Sequence, residues 1–171
     1  LEDKDFRAAY TRYETLMGRN CRPPPDADPT EEQLSVLYHL SKEKNIAVDF
    51  AIWGPHGQRT VRAMRLAGSY PDPEGILRKC EIAGPPTVAV WEDCWNVFAT
   101  GAIMLDIVDM GALDFYKAHI QRFHMVYGVQ TWMLLYQADC RFRSEEMPRI
   151  NRNLAMAHEA AVLAGRTTDY D

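Results

Sequence analysis

The apolar positions of this chain recur mostly at helical spacing. Phe6, Ala9, Tyr10, Tyr13 and Leu16/Met17 fall three or four apart in DKDFRAAYTRYETLMG and predict an opening helix that stops at Gly18. RNCRPPPDADP is rich in Pro and predicts an extended connector. A second helix is expected from Asp28-Pro29-Thr30-Glu31, with Asp28 as its cap and Pro29 in the first helical position. Leu34, Leu37, Tyr38 and Leu40 carry its stripe toward residue 45. IAVDFAIWGPHG suits either a buried strand or a short buried helix, and Gly54, Pro55 and Gly57 impose a sharp turn after it. The spacing then changes. MRLAGSYPDPEGILRKCEI reads as a hairpin over 64–82 around PDPEG, where Pro71 and Pro73 oppose helix and Gly75 supplies a positive φ.

The strongest helical pattern is GPPTVAVWEDCWNVFATGAIMLDIV. Trp91, Cys94, Trp95, Phe98, Ala102 and Leu105 form one stripe, and Val97, Ile103, Met104 and Ile107 make the other sides apolar as well. A helix apolar nearly all round belongs at the centre of a fold. Asp109 can cap the next helix, in which Leu113, Tyr116, Ile120, Phe123 and Tyr127 share a face up to Gly128. A last long helix starts near Gln130, is kinked or divided at Pro148, and resumes to Gly165. The expected fold is therefore mainly α: a single bundle-like domain of about five to six helices with a small β-hairpin packed on it. Residues 1–28 would be the first helix and connector, 29–165 the main body, and 166–171 a polar tail.

Within the last helix the apolar stripe runs into charges. Taking about 100° per residue from Trp132, Asp139, Arg143 and Ile150 fall within about 20° of it, Tyr136 about 40° away, and Arg141 on the far side. Asp139 and Arg143 thus lie on the inward face, four apart and acid first, the better order for a helical ion pair. One reading is a structural polar clamp that holds this helix to its neighbours. The other is a site for a ligand, a nucleic acid or a second subunit.

Composition narrows the classes. The 171 residues are nearly half apolar and carry a net charge of −5, which gives no overall attraction to nucleic acid or anionic lipid. Cys21, Cys80, Cys94 and Cys140 form no C-x-x-C and have no His at zinc spacing, so neither a zinc module nor a secreted disulfide framework is expected. No secretory leader is legible and no apolar run is long enough to span a bilayer. An intracellular site, cytoplasmic or nuclear, is expected, without membrane contact. The first residue is Leu1 rather than Met, which reads as a segment cut from a longer protein.

No catalytic motif frames these residues. Glu92/Asp93 and Glu145/Glu146 are adjacent pairs that diverge around a helix, and His119 and His124, five apart, do not share a helical face. No metal and no cofactor is expected. Arg59, Arg62 and Arg65 recur every third residue and would form a basic stripe for phosphates if their segment is helical; a solvated face paired with local acids is the plainer reading.

PTEEQLSVL, VDFAIWGPHGQR, AGPPTVAVWEDCWNVFATGAIMLD, YKAHI and WMLLYQADCRFRSEEMPRI follow one another in this order. Together they resemble a domain that recurs in mobile-element-like proteins of dinoflagellate genomes. Its pattern is D-F-A-V-W-G-P-x-G-x-[RK], then G-P-x-x-x-x-W-x-x-x-x-x-V, then Y-Q-A-D-x-R-x-R-x-E. The resemblance covers about Pro29 to Arg152. Its fixed points fall on Asp49, Trp53, Gly54, Pro55, Gly57, Trp91, Tyr136, Gln137, Asp139, Arg141 and Arg143; of these Asp49, Trp53, Gly54, Pro55, Gly57, Trp91, Tyr136 and Arg141 become candidates for interaction or turn roles. The resemblance implies an accessory or Gag-type segment of a polyprotein and carries no activity with it. The expected function is a non-enzymatic assembly or interaction module, whose partner is another copy or another polyprotein segment. The alternatives are a nucleic-acid-binding accessory domain and an unrecognised hydrolase or transferase. The plentiful Trp, Tyr, Met and Arg favour the first, because these residues anchor interfaces.

Overall fold

Helix α1 (Asp3–Met17) begins where the Asp5 carboxylate accepts from the Glu2 N–H at 2.8 Å, and it ends at Gly18 with φ +120°. The structure, a computed structural model, describes residues 1–43, 45–55 and 63–164. Helix α2 (Glu31–Lys42) starts two residues later than the Asp28 cap expected from the sequence. Thr30 and Gln33 cap each other instead: Thr30 Oγ1 accepts from Gln33 N at 3.2 Å and Gln33 Oε1 from Thr30 N at 2.9 Å. This reciprocal box satisfies two orphan donors, where an Asp28 cap would satisfy one. Asp28 is drawn away by the Tyr10 hydroxyl, which donates to it at 2.9 Å.

Residues 46–54 are neither strand nor helix. Asp49 turns the chain by accepting from Ala51 N at 2.9 Å, and this buries Val48, Phe50, Ala51 and Trp53. The Met64 N–H donates to Ala51 O at 2.7 Å and ties this segment to the start of the next element. Strands β1 (Arg65–Pro71) and β2 (Leu77–Ala83) then pair antiparallel, close to the expected span, with Arg65 opposite Ala83 and Pro71 opposite Leu77. Asp72 builds the hairpin turn by accepting from Glu74 N and Ile76 N, while Gly75 takes φ +80°. Leu66 is the hairpin's buried foot.

Helix α3 (Val88–Met104), capped by Thr87, is central as predicted; Trp91, Cys94, Val97, Ala102 and Met104 have no exposed surface. It stops before the expected Val108 because Asp106 adopts φ +56° and Ile107 N donates back to Ala102 O. Arg12 from α1 closes its C-terminal end with a 2.6 Å bond to Met104 O. Helix α4 (Met110–Tyr127) is capped by Asp109 and ends at Gly128, φ +79°. After one 3₁₀ turn (Val129–Thr131), α5 (Trp132–Arg141), a π-helical turn (Phe142–Glu146) and α6 (Met147–Leu163) run on as one rod.

Pro148 does not break that rod. The extra residue is absorbed just before it, where Met147 N donates to Phe142 O five residues back. One consequence corrects the helical-wheel reading. The π turn advances the phase, so Ile150 leaves the inward stripe and is 45% exposed, while Pro148 takes the buried place on α6. Among the described residues no helix is long and apolar enough to cross a membrane. The expected tail at 166–171 lies outside the described residues.

Candidate functional site

Asp139 and Arg143 do fold inward, and they meet residues from every side. Arg143 Nη2 donates to Asp139 Oδ2 at 2.8 Å, and Nε reaches both carboxylate oxygens at 3.1 Å. Trp91 Nε1 of α3 donates to Oδ2 at 3.1 Å, and the Tyr116 hydroxyl of α4 donates to Oδ1 at 2.8 Å. Arg143 Nη1 reaches Val48 O at 2.9 Å, and its guanidinium carbon lies 4.1 Å from the centre of the Phe50 ring. The pair therefore ties α3, α4, α5, the π turn and the 46–55 segment together. The Asp139 side chain is 1% exposed and the Arg143 side chain 7%.

The electrostatics suit a fixed pair rather than a reactive one. Burial works against the charge on Arg143, but attraction and hydrogen bonding from Asp139 outweigh it and hold the guanidinium pKa above its ordinary value. Burial first, then the charge of Asp139 and the bond to it, push the Tyr116 hydroxyl well up. Burial pushes the Cys94 thiol up to about 12 and raises Cys140 too, so neither supplies a thiolate at neutral pH. Both oxygens of Asp139 are occupied by donors, which leaves it no free position for general acid–base work. Among the described residues no three His, Cys, Asp or Glu side chains gather as a metal site.

The other sequence candidates are dispersed. Trp91 belongs to the clamp. Tyr136 is buried beside Trp132, its ring pressed against Gly84. Asp49 is an exposed turn former, Trp53 is buried, Gly54 O accepts from Gln33 Nε2 at 3.0 Å, and Pro55 is half-buried. Arg141 points out, as the wheel predicted, toward Glu145 and Glu146 at 3.5 and 3.8 Å, and Gln137 is exposed beside it. Arg65 opens strand β1 and pairs with Glu81 at 3.5 Å, so a helical stripe does not extend through it. Gly57, Arg59 and Arg62 lie outside the described residues.

The α4 stripe, expected as one shared face, divides between core and surface. Leu113 and Ile120 are buried, but Phe123 and Tyr127 are 37% and 59% exposed. They line an open apolar groove of about 800 Å³ between α4 and α5, whose far wall includes Leu134 and Ala138. Phe115, His119, Phe123 and Tyr127 contact ring to ring along its floor. A second apolar recess of about 340 Å³ shares Phe115, Tyr116 and Phe142 with it. Tyr116 links groove to clamp: its ring stacks between Trp95 (5.0 Å) and Phe142 (5.3 Å) while its hydroxyl holds Asp139. The signal for this was present in the sequence, because the i, i+4 series Phe115, His119, Phe123, Tyr127 flanks the buried stripe.

No protein-family model, no curated protein and no solved structure matches this chain.

Proposed function

We propose that this chain is a non-enzymatic protein-interaction module that assembles through the α4–α5 groove. One observation carries the reading. The groove is a continuous aromatic and aliphatic face in which successive rings touch, with Phe115 at 74% and Leu134 at 61% exposure. Large contiguous apolar patches on a soluble fold mark interaction sites, and aromatic anchors dominate their energetics. The clamp behind the groove keeps its wall rigid, since Tyr116 belongs to both. The resemblance to mobile-element-like proteins fits this role, as an accessory or Gag-type segment whose partner is another copy or another segment of the polyprotein. All four cysteines are free, which suits a reducing, intracellular compartment. Nucleic-acid binding is the weaker reading, because the net charge is −5 and Arg65 is neutralised by Glu81.

The test is assembly as a function of concentration, followed by light scattering, in the wild-type chain and in Leu134→Glu. Leu134 is exposed, so the charge enters the groove wall without disturbing the core. The wild type is expected to associate and the variant to remain monomeric. A wild-type chain that stays monomeric at the highest concentration it tolerates overturns the proposal. So does association untouched by the groove charge.

A further inference from the structure

Helix α6 is amphipathic in the wrong sense for its own fold. At about 100° per residue, Ile150, Leu154, Ala157 and Ala161 share one face, and Arg152 and Glu159 lie opposite. The mainly polar side is the one nearer the body: Arg152, Ala155, Met156 and Glu159, all exposed, line an open cleft of about 880 Å³ with Glu43 and Asn45. The apolar stripe therefore points away, with Leu154 60% exposed. Pro148 is the one residue of α6 that is buried. Among the described residues, α6 thus carries an apolar ridge without a groove and α4–α5 an apolar groove without a ridge.

We infer that the occupant of the groove is α6 of a second copy of this chain, exchanged reciprocally in a two-fold dimer. The assignment rests on the groove reading above and names its partner. Dimensions agree: at about 1.5 Å rise per residue, the stripe from Ile150 to Ala161 spans roughly 16 Å and the groove floor from Phe115 to Tyr127 roughly 18 Å. Size agrees as well. The groove lining, with the stripe and its immediate flanks, supplies some twenty residues per copy, about what a standard interface of roughly 800 Å² per partner uses. Charge agrees, because Asn151 and Asn153 flank the stripe and the carboxylates and guanidinium of the groove lining, Asp139, Arg141 and Glu146, gather toward one end of it. Helix α6 cannot fill the groove of its own chain. Its α5, π turn and α6 form one uninterrupted rod, so α6 leaves the groove end that Phe142 and Glu146 border and cannot turn back along it. Two copies can each supply what the other lacks, and that reciprocity closes the assembly as an isologous pair.

The experiment compares sedimentation of the wild-type chain, Leu154→Glu, Leu134→Glu and an equimolar mixture of the two variants, with circular dichroism confirming that each is folded. The wild type is expected to dimerise, and each variant alone to dissociate at least tenfold more readily. The mixture is expected to form a heterodimer tighter than either variant alone and weaker than the wild type, because one of its two contacts, the groove of the Leu154 variant with the stripe of the Leu134 variant, is intact. Assembly lost in Leu134→Glu but unchanged in Leu154→Glu overturns the α6 assignment and leaves the groove reading standing. Variants that both fail alone and do not pair when mixed overturn the reciprocal exchange. A monomeric wild type, or assembly unchanged in both variants, overturns the inference and the proposed function together.

Discussion

Arg143 meets Asp139 one turn along the same rod, through three nitrogen–oxygen contacts of 2.8 to 3.1 Å, with both side chains almost wholly out of water. Trp91 and Tyr116 fill the remaining positions of the carboxylate, and Val48 O takes one more guanidinium N–H. A fully satisfied buried network stabilises little against an apolar substitute of equal shape, yet it is costly to break in half.

Asp139→Ala is therefore expected to lower stability by about 3 kcal/mol, because it strands the Arg143 charge and two further donors. Replacing both partners, Asp139→Leu with Arg143→Met, is expected to cost less than either single change. Urea unfolding of Asp139→Ala, the two single changes and the double variant decides this. A single-variant loss below about 0.5 kcal/mol would mean that the pair is solvated. A double variant worse than either single one would mean that the network contributes more than its pairing.

Ile150 gives the opposite case. An uninterrupted wheel from Trp132 places it on the core side, while the π turn at Phe142–Glu146 moves it out to 45% exposure. Ile150→Asn is thus expected to change the unfolding free energy of the dilute chain by no more than about 0.5 kcal/mol. A loss of about 2 kcal/mol or more, the cost of a buried polar group, would return Ile150 to the core.

These two residues mark how far the sequence could be read. Helical periodicity placed α1 to α4 and the hairpin because each repeats a pattern locally, and it placed Asp139 and Arg143 inward because the phase holds from Trp132 to Arg143. It failed at Ile150, because one inserted residue in the backbone has no side-chain signature beyond the nearby Pro148. The α2 cap went to Thr30 rather than Asp28 because Tyr10, eighteen residues before Asp28, competes for that carboxylate. The partners of Asp139, Trp91 and Tyr116, lie 48 and 23 residues away, and no local rule names them. The groove was legible only in part: the series Phe115, His119, Phe123 and Tyr127 marks a second face of α4, but a stripe that outlasts the core it serves looks the same as one that does not.

Alkaline pH should unfold this chain early. Burial first, then the bond to Asp28 and its charge, push the Tyr10 hydroxyl from 10.0 up to about 12. A folded pKa above the unfolded one means that the folded chain holds the proton longer. That contribution is complete below pH 10 and is lost as pH rises from 10 to about 12. Burial raises Tyr13, Tyr116 and Tyr136 in the same direction, so their contributions add in sign. The urea midpoint is expected to fall across this interval, and less steeply in Tyr10→Phe. A midpoint that rises there, or slopes that match, would contradict the assignment.

Gly84 and Gly68 both lie against α5, and their substitution should separate two kinds of close packing. A Cβ on Gly84 would come 2.1 Å from Cε1 of the buried Tyr136 ring, at a backbone φ of +155° that side chains avoid. A Cβ on Gly68 would come 2.0 Å from Met133 Sδ, at an ordinary φ. The distances are nearly equal, so distance alone predicts equal damage. The neighbours differ: a thioether with three rotatable bonds can move aside, whereas the Tyr136 ring is rigid and rests on Trp132 at 6.0 Å. Gly84→Ala is expected to cost about 2–3 kcal/mol, from overpacking with backbone strain, and Gly68→Ala about 1 kcal/mol. Denaturant unfolding of the two variants gives the order. If Gly68→Ala proves the more damaging, then Met133, which also lies 3.4 Å from Cys80 Sγ, is held as firmly as the ring, and the hairpin is locked to α5 rather than resting on it.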